Sequence, residues 1–194
     1  MNLREKIIRD SLRLFSLKGF LNTSILDILD KTQASKGGLY NHFKSKEDLF
    51  FAVLSEARRL WREKNLSGLD QIGKPVQKVK KLLKNYFIKY LQDKKNFPGG
   101  CFFVTMSVEL DDQRPHLAKE LNEGFKRLKA MFIRLLEEGK GSGEIRADVN
   151  TEEATELIFS AILGASVMYG TSKSAATLRR IYISVVNYLD GLAP

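Results

Sequence analysis

Apolar side chains recur every three or four positions along nearly the whole chain, a spacing that predicts amphipathic helices. Ile8, Leu12 and Phe15 form the first such stripe, and Gly19 ends the helix that it predicts. Further helices are predicted over about residues 25–31, 36–42, 45–61, 75–93, 101–110, 115–138, 151–169 and 174–191. No strand pair, internal repeat or low-complexity segment interrupts the pattern. The sequence therefore predicts an all-α fold of about nine helices.

Polar residues at the predicted helix starts support these boundaries. Ser24 precedes an apolar stripe and Asp27 follows three positions later, which is the spacing of a reciprocal capping pair. Ser35 can cap the next short helix, and Ser45 with Asp48 repeats the capping pattern before the long helix. We therefore expect two short helices and a long one to start at these serines.

The two short helices are joined by a tight turn and backed by the first helix, which predicts a helix-turn-helix unit. In such units the second helix enters the major groove of DNA. We divide the chain into an N-terminal three-helix helix-turn-helix domain, residues 1–47, and a larger C-terminal helical domain, residues 48–194.

The second short helix begins with two glycines, Gly37 and Gly38. A glycine within a helix costs about 1 kcal/mol relative to alanine, and close approach of another molecule's backbone is one reason to keep it. Ser35 can contact a phosphate, and Lys36 can reach a guanine edge or a phosphate. On this interpretation the glycines let the helix tip approach the duplex. An ordinary glycine-containing loop is the alternative.

Positive charge is concentrated in the first half of the chain. The net charge is +9, yet residues 1–96 hold 21 Lys and Arg against 10 Asp and Glu, whereas residues 97–194 hold 11 against 13. A basic end is typical of a phosphate-binding surface, although a lysine-rich solvated face gives the same count. The single cysteine, the charged N-terminal segment and a longest weakly polar run of 14 residues favour a cytoplasmic chain without a membrane partner.

Residues 23–50, TSILDILDKTQASKGGLYNHFKSKEDLF, carry a more specific pattern. Its characteristic positions are Thr23-Ser24, Asp27-Ile28, Ala34-Ser35-Lys36-Gly37, Leu39-Tyr40, His42-Phe43 and Ser45-Lys46-Glu47-Asp48-Leu49. In this order they closely resemble the helix-turn-helix of TetR-family transcriptional regulators. Beyond about residue 65 the resemblance is one of layout rather than of motif. It implies a DNA-binding N-terminal domain and a larger helical domain that binds a small ligand and dimerises.

The resemblance implies specific DNA contacts. Phosphate contacts are expected from Thr23 or Ser24, Tyr40, His42 and Lys46. Groove contacts or close backbone approach are expected at Ser35, Lys36, Gly37, Gly38 and Asn41. Taken singly, Tyr40 and His42 could instead pack as structural residues.

Three positions depart from the family pattern. Gln33 stands where the turn glycine is usual, so a non-glycine residue would adopt a left-handed backbone. Gly38 replaces the more usual Ser, Thr or Ala, which removes a possible side-chain contact. Asn41 replaces the more common His, Tyr or Arg and could bind adenine through a bidentate amide contact.

The resemblance also implies a dimer interface near the C-terminus. We expect residues 151–191 of two chains to form a four-helix bundle. The seam would include Ala161, Gly164, Ala165, Ile181, Val185 and Leu189. The alternative is that these residues belong to the core of one chain. A dimer would place two recognition helices on half-sites about 34–36 Å apart, or a multiple of that spacing.

Aromatic and sulfur-containing residues of the middle helices are the candidate lining of a ligand pocket. They are Trp61, Tyr86, Tyr90, Cys101, Phe102, Phe103, Met106, Phe132 and Phe159. Each could equally be an ordinary core residue. Cys101 follows Pro98-Gly99-Gly100 and is expected to start a helix, where a thiolate is favoured. It is therefore a candidate sensor of electrophiles or oxidants, with an inert buried thiol as the alternative.

These patterns predict a homodimeric repressor that a small hydrophobic, aromatic or electrophilic effector releases from a palindromic operator of double-stranded DNA. A ligand-independent DNA-binding protein is one alternative. A helical-bundle enzyme or small-molecule carrier is the other, but the two histidines, His42 and His116, form no ligand pair with helical spacing. We therefore expect no catalytic residue, no metal and no cofactor.

Overall fold

The computed structural model describes residues 2–194, and this range contains nine α-helices and no strand. The helices are α1 (Leu3–Lys18), α2 (Ile25–Thr32), α3 (Lys36–Tyr40), α4 (Lys46–Asn65), α5 (Pro75–Lys84), α6 (Phe102–Leu110), α7 (Pro115–Gly141), α8 (Thr151–Ser172) and α9 (Ala175–Asp190). A π-helical segment, Asn85–Tyr90, continues α5. The predicted all-α fold is confirmed.

Short side-chain caps fix the starts of the first helices. The Ser24 hydroxyl accepts the backbone N–H of Asp27, whose carboxylate in turn accepts the backbone N–H of Ser24. The Ser45 hydroxyl accepts the backbone N–H of Asp48 at 3.0 Å. Each cap satisfies an N–H group that has no partner within its own helix. The predicted helix starts at these residues are confirmed.

Aromatic residues join the N-terminal helices to the rest of the chain. Phe20 packs edge-on against both Phe15 and Phe50, with ring centroids 5.4 and 5.1 Å apart. Phe50, on α4, also stacks with Phe102 at the start of α6. A single cluster of buried apolar residues therefore extends through both regions of the chain. α4 is the element that belongs to both, because it packs against α1 and against the π segment.

The fifth predicted helix changes geometry near its C-terminal end. α-Helical hydrogen bonding ends at Lys84, and the Leu91 N–H donates to the Tyr86 carbonyl, five residues earlier. Single π-turns of this kind occur frequently at functional sites. Here the segment carries Tyr86 and Tyr90, whose hydroxyls both approach Cys101.

The outer surface of α8 is apolar. Leu157, Val167 and Met168 are 52%, 54% and 49% exposed, and Gly164 lies in open space on the same helix. By length and composition alone α8 could cross a membrane, but 44% of its most apolar 18-residue stretch is buried within the chain. Core helices of soluble proteins meet the same criterion.

Half of the expected dimer seam lies inside the chain instead. Ala165, Val185 and Leu189 are buried among the protein's own helices. They point inward because residues three or four positions apart lie on one face of a helix, and these residues lie on the face that packs against the core. On α8 the side that faces outward contains Leu157, Gly164 and Met168, with Ala161 partly buried among them, and Ile183 is exposed on α9.

Candidate nucleic-acid interface and internal cavity

The tip of α3 is open to solvent. Ser35, Lys36 and Gly37 are exposed, and the Ser35 hydroxyl accepts the backbone N–H of Gly38 at 3.0 Å. A Cβ added at Gly37 would meet nothing within 4 Å, whereas one at Gly38 would lie 3.2 Å from the Ser35 hydroxyl oxygen. The absence of a side chain at Gly37 therefore leaves open space beside the start of α3. At Gly38 it leaves room for the Ser35 hydroxyl that caps the helix.

The end of α3 presents three polar side chains. Tyr40, Asn41 and His42 are all exposed. The helix is shorter than predicted and ends at Tyr40. The Asn41 N–H still donates to the Gly37 carbonyl four residues back, but the His42 N–H donates to the Leu39 carbonyl three residues back, which is a turn bond. Leu39 is buried against the preceding helices, so the exposed face is held in a fixed orientation.

Gln33 forms the turn between α2 and α3. Its backbone is left-handed, at φ 55° and ψ 31°, as the sequence predicts for this non-glycine residue. Its side-chain amide donates a 2.6 Å hydrogen bond to the Asp30 carbonyl. This bond helps to hold a conformation that L-residues adopt infrequently.

Thr23 does not fit its expected role in DNA contact. Its side chain is fully buried, and its hydroxyl donates a 2.6 Å hydrogen bond to the Gly19 carbonyl. Thr23 therefore holds the α1–α2 loop together. Ser24 is exposed beside it, and its hydroxyl is shared with Asp27.

Lys46 lies at the start of α4 and is half-buried. Its Nζ atom lies 4.4 Å from the ring centroid of Phe20, in a cation–π contact. Burial lowers the pKa of Lys46, while the Glu109 carboxylate acts in the opposite direction. The ammonium group is thus positioned at the helix-turn-helix rather than extended freely into solvent.

Glu109 connects α6 directly to the helix-turn-helix. Its carboxylate accepts the backbone N–H groups of Phe20 at 2.8 Å and Leu21 at 2.9 Å. A Cβ on Gly19 would overlap this carboxylate, and Gly19 also has a φ of +84°. Sequence reasoning identified Gly19 only as a helix end. It missed Glu109, because the partners lie 88 and 89 residues apart.

A second polar contact joins the two regions. Glu47, at the start of α4, accepts from His116 Nε2 at 2.9 Å and lies 3.5 Å from Arg114. Both partners belong to the start of α7 or the residue before it. The helix-turn-helix is thus attached to α6 by Glu109 and to α7 by Glu47.

A cavity of about 450 Å³ lies among α4, the π segment, α6, α7 and α8. Five of the nine predicted pocket residues line it: Trp61, Tyr86, Cys101, Phe103 and Phe159. The other four, Tyr90, Phe102, Met106 and Phe132, are packed in the core and do not line it. The Phe102 ring stacks on Phe50 and meets the Phe103 ring edge-on, with centroids 5.7 Å apart.

Hydroxyl and thiol groups meet at the inner end of the cavity. The Tyr86 hydroxyl donates to Cys101 Sγ at 3.3 Å and lies 2.7 Å from the Ser166 hydroxyl. Burial raises the pKa of both Tyr86 and Tyr90 well above the ordinary value. Cys101 is the N-cap of α6, which confirms that it starts a helix. It is buried within the chain, and its residue lines the cavity.

Charged side chains occur at the outer end of the cavity. The lining includes Arg58, Arg62, Arg127 and Glu120. Arg58 Nη2 donates to the Glu120 carbonyl at 2.6 Å and to its carboxylate at 3.1 Å. Arg62 and Arg127 are exposed. None of these four residues was predicted, because charged residues on amphipathic helices usually mark a solvated face. In residues 2–194, no three His, Cys, Asp or Glu side chains gather as a metal site.

The exposed helix tip and the cavity in one all-helical chain are the features of a helix-turn-helix transcriptional regulator. The chain matches the model of bacterial regulatory proteins of the tetR family over residues 7–53, and that of the tetracyclin repressor-like C-terminal domain over residues 75–185. It belongs to the TetR family, whose members are DNA-binding regulators and not enzymes. The resemblance found in the sequence is confirmed.

Individual relatives support the same assignment along the whole chain. The regulator LmrA of Bacillus subtilis is 26% identical over 181 residues, which is 92% of each chain. The structure of a TetR regulator from Chloroflexus aurantiacus is 28% identical, with a TM-score of 0.88 over 96% of this chain and 93% of that one. AibR, solved with isovaleryl coenzyme A and operator DNA, shares the fold at 18% identity, with a TM-score of 0.77 over 96% and 97% of the two chains.

Proposed function

We propose that this TetR-family regulator is a cytoplasmic, homodimeric repressor that a small effector releases from a palindromic operator. The observation that carries the proposal is the combination of an exposed, glycine-containing α3 tip with a cavity of about 450 Å³ in the same chain. Cavities of this volume are within the range that holds small ligands. AibR, a protein of the same fold, was solved with both a ligand and operator DNA.

The proposed DNA surface contains nine of the residues that the sequence indicated. They are Ser24, Ser35, Lys36, Gly37, Gly38, Tyr40, Asn41, His42 and Lys46. Gly37 allows close approach, because nothing lies within 4 Å of the position of its Cβ. Lys36 and Asn41 are exposed at the two ends of α3 and are the candidates for contact with base edges. We retain the division into residues 1–47 and 48–194 as part of this proposal.

The proposed dimer interface is the outer face of α8 and α9, within residues 151–191. Leu157, Ala161, Gly164 and Met168 recur at spacings of four, three and four residues, so they form one stripe. Contiguous exposed apolar surface on a soluble protein marks an interaction site. A twofold dimer buries the same stripe on both chains. Gly164, with no neighbour at its Cβ position, leaves space for a close helix–helix approach.

α6 provides the proposed connection between effector and DNA. Its N-cap Cys101 and its early residues Phe103 and Val104 line the cavity, and Glu109 holds the α1–α2 loop from the other end. An effector that prefers one position of α6 therefore shifts the population of helix-turn-helix orientations. The effector can weaken DNA binding by no more than the difference between its binding free energies for the two positions of α6, typically about 1–3 kcal/mol.

An electrophilic effector is a specific variant of this proposal. The Cys101 residue lines the cavity, so a molecule bound there is close to a potential nucleophile. The Tyr86 hydroxyl donates to its sulfur and helps to fix its position. Covalent capture at Cys101 would alter the start of α6 directly.

The proposal is tested by combining a randomised-duplex selection with the purified full-length chain and sedimentation analysis. We expect a palindromic sequence to be enriched and the chain to sediment as a dimer at micromolar concentration. Replacing Leu157 by Glu should disrupt the dimer, while Leu26→Glu, at another exposed leucine, should not. A chain that stays monomeric and enriches no duplex would refute the proposal. Discrimination between sequences below about 10³ would favour a nonspecific DNA-binding protein.

A further inference from the structure

Positive side chains outnumber negative ones in the lining of the cavity. It contains three arginines, Arg58, Arg62 and Arg127, and one acidic residue, Glu120. Arg58 is already bound to Glu120 through a 3.1 Å ion pair and a hydrogen bond to its carbonyl. The pair compensates one positive charge, which leaves two guanidinium groups beside the cavity.

These two arginines are available to a ligand. Arg62 and Arg127 are exposed, and within residues 2–194 neither has a carboxylate within 4 Å. Arg59, the residue after Arg58 on α4, does not line the cavity and differs in this respect because it is bound to both Glu56 and Glu63. The Glu123 carboxylate near Arg127 is bound to Lys126 at 2.8 Å.

Between the charged residues and the Tyr86 and Cys101 groups, the lining of the cavity is apolar. Phe125, Leu128 and Met131 of α7 line it together with Phe159 and Ile162 of α8, and the rings of Phe125 and Phe159 meet edge-on, with centroids 5.6 Å apart. The buried groups Tyr86 and Cys101 lie at the closed end, whereas the exposed arginines mark the mouth. A molecule that fills the site therefore needs an apolar body and a charged head at the opening.

We propose that the effector is an amphipathic anion, with a carboxylate or phosphate head bound by Arg62 and Arg127 and an apolar body in the cavity. This inference rests on the proposed function and specifies the ligand class. Guanidinium groups suit both heads, because their planar N–H donors match pairs of anionic oxygens. A cationic amphiphile would meet two arginines and a single carboxylate that Arg58 already holds.

The two arginines belong to different helices. Arg62 lies in the last turn of α4 and Arg127 lies in α7. An anion bound by both joins these helices at the mouth of the cavity. α4 begins at Lys46, directly after the helix-turn-helix, so the head group contributes to the conformational change as well as to affinity.

The test uses the full-length chain and four probes with the same ten-carbon body. Sodium decanoate, decyl phosphate, 1-decanol and decyltrimethylammonium are titrated calorimetrically below their critical micelle concentrations. We expect at least one of the anions to bind about tenfold more tightly than decanol, because charge-assisted hydrogen bonds are the stronger ones. The cation should bind most weakly. The relative affinities of the two anions distinguish a carboxylate effector from a phosphate one.

Arginine variants locate the head group. Arg62→Gln and Arg127→Gln should each weaken anion binding by about threefold to tenfold, with no change for decanol, because each removes one charged donor. Lys119→Gln is the matched control, since it removes one charge from an exposed position of α7 that does not line the cavity. Equal losses in all three variants would indicate a general charge effect and overturn the assignment.

Other outcomes are equally decisive. Tighter binding of decanol or the cation, or no binding of either anion, overturns the inference about the ligand. A duplex selection with the same preparation separates this result from the proposed function. If the chain enriches a palindrome but shows no preference for anions, only the ligand class is wrong. If it enriches no duplex, the proposed function is wrong whatever the probes show.

Discussion

The backbone N–H of Gly99 donates a 3.0 Å hydrogen bond to the hydroxyl of Ser16. Ser16 is in α1 of the helix-turn-helix, and Gly99 lies two residues before Cys101 at the cavity. A Cβ on Gly99 would overlap the Ser16 carbonyl oxygen. The Lys173 ammonium, just beyond α8, donates to the Gly99 carbonyl at 3.1 Å. Three segments of the chain therefore meet at a position that only glycine can occupy without displacement.

Gly99→Ala should destabilise the protein by about 1–3 kcal/mol, because the added methyl group overpacks a backbone contact. Urea unfolding followed by circular dichroism measures the change. Gly73→Ala is the control, since nothing lies within 4 Å of its Cβ position and its φ is not positive. That variant should be neutral or slightly stabilising. Equal stability of both variants would contradict the close contact at Ser16.

Glu109→Gln should weaken the connection between the cavity and the helix-turn-helix. The amide keeps the shape of the side chain, but its NH2 group cannot accept one of the two backbone N–H groups of Phe20 and Leu21, and the remaining bond loses the charge that strengthens it. We expect a loss of about 1 kcal/mol in stability and a smaller effect of effector on DNA affinity, with effector affinity itself unchanged. Fluorescence anisotropy of a selected duplex with and without effector measures the coupling. Asp70→Asn, in an exposed loop, controls for the charge, and full coupling in Glu109→Gln would contradict the proposed role of α6.

Lys46→Ala should weaken DNA binding about equally for all sequences and make the salt dependence shallower by about one unit, as expected for one phosphate contact. Anisotropy titrations at several salt concentrations measure this slope. Lys74→Ala removes the same charge at the start of α5 and should leave the slope unchanged.

In contrast, Asn41→Ala should alter the preferred base at one position of each half-site. An unchanged preference would exclude a base contact by Asn41.

Cys101 should react with N-ethylmaleimide in the folded protein, because Cys101 lines the cavity. The thiol sulfur forms a bond to one alkene carbon of the maleimide, and the thiol proton ends on the other. Mass spectrometry identifies the product directly, since the chain has one cysteine. Cys101→Ser is the control and should remain unmodified. Reaction only after unfolding would show that the thiol is inert, and the electrophile variant of the proposal would then fail.

The Asp27 carboxylate should make stability depend on pH in the acid range. Its hydrogen bond with Lys18, followed by those with Ser24, holds the pKa of Asp27 well below the ordinary value of 3.8. The folded state therefore binds the proton less readily than the unfolded state. Its contribution is present above the ordinary pKa and is lost as the pH falls below it.

Urea unfolding between pH 2.5 and 6 tests this effect. Asp27→Asn should lower stability near neutral pH and flatten part of the decrease at acid pH. Asp30→Asn, in the same helix, controls for the change in net charge. An identical acid decrease in Asp27→Asn and the unmodified chain would contradict the role of the carboxylate.

Features with local causes were predictable from the sequence. Ser24 and Asp27 are three residues apart, so their capping pair could be recognised without knowledge of the fold. The left-handed backbone of Gln33 followed from its place in a turn of known pattern. The order of helices likewise followed from the spacing of apolar residues, which reflects burial of one helix face.

Features that depend on packing between distant elements were not predictable. Thr23 matches the family pattern, but its hydroxyl is turned inward to Gly19. Adjacent residues Phe102 and Phe103 have the same chemistry, yet only Phe103 lines the cavity. The partners of Glu109 lie far away along the chain, so no local pattern indicated its bonds. The side of a helix that faces a cavity is fixed by its neighbours in space.

α6 is nine residues long, or about 13 Å from end to end at the usual rise per residue. Phe103 and Val104 contribute to the cavity at one end, and Glu109 holds the DNA-binding unit at the other. Mutations at the cavity end of α6 can therefore change which molecules bind, while the contact of Glu109 with the DNA-binding unit stays the same. A helix that separates the two contacts in this way allows related regulators to respond to different effectors without a change in how they bind DNA.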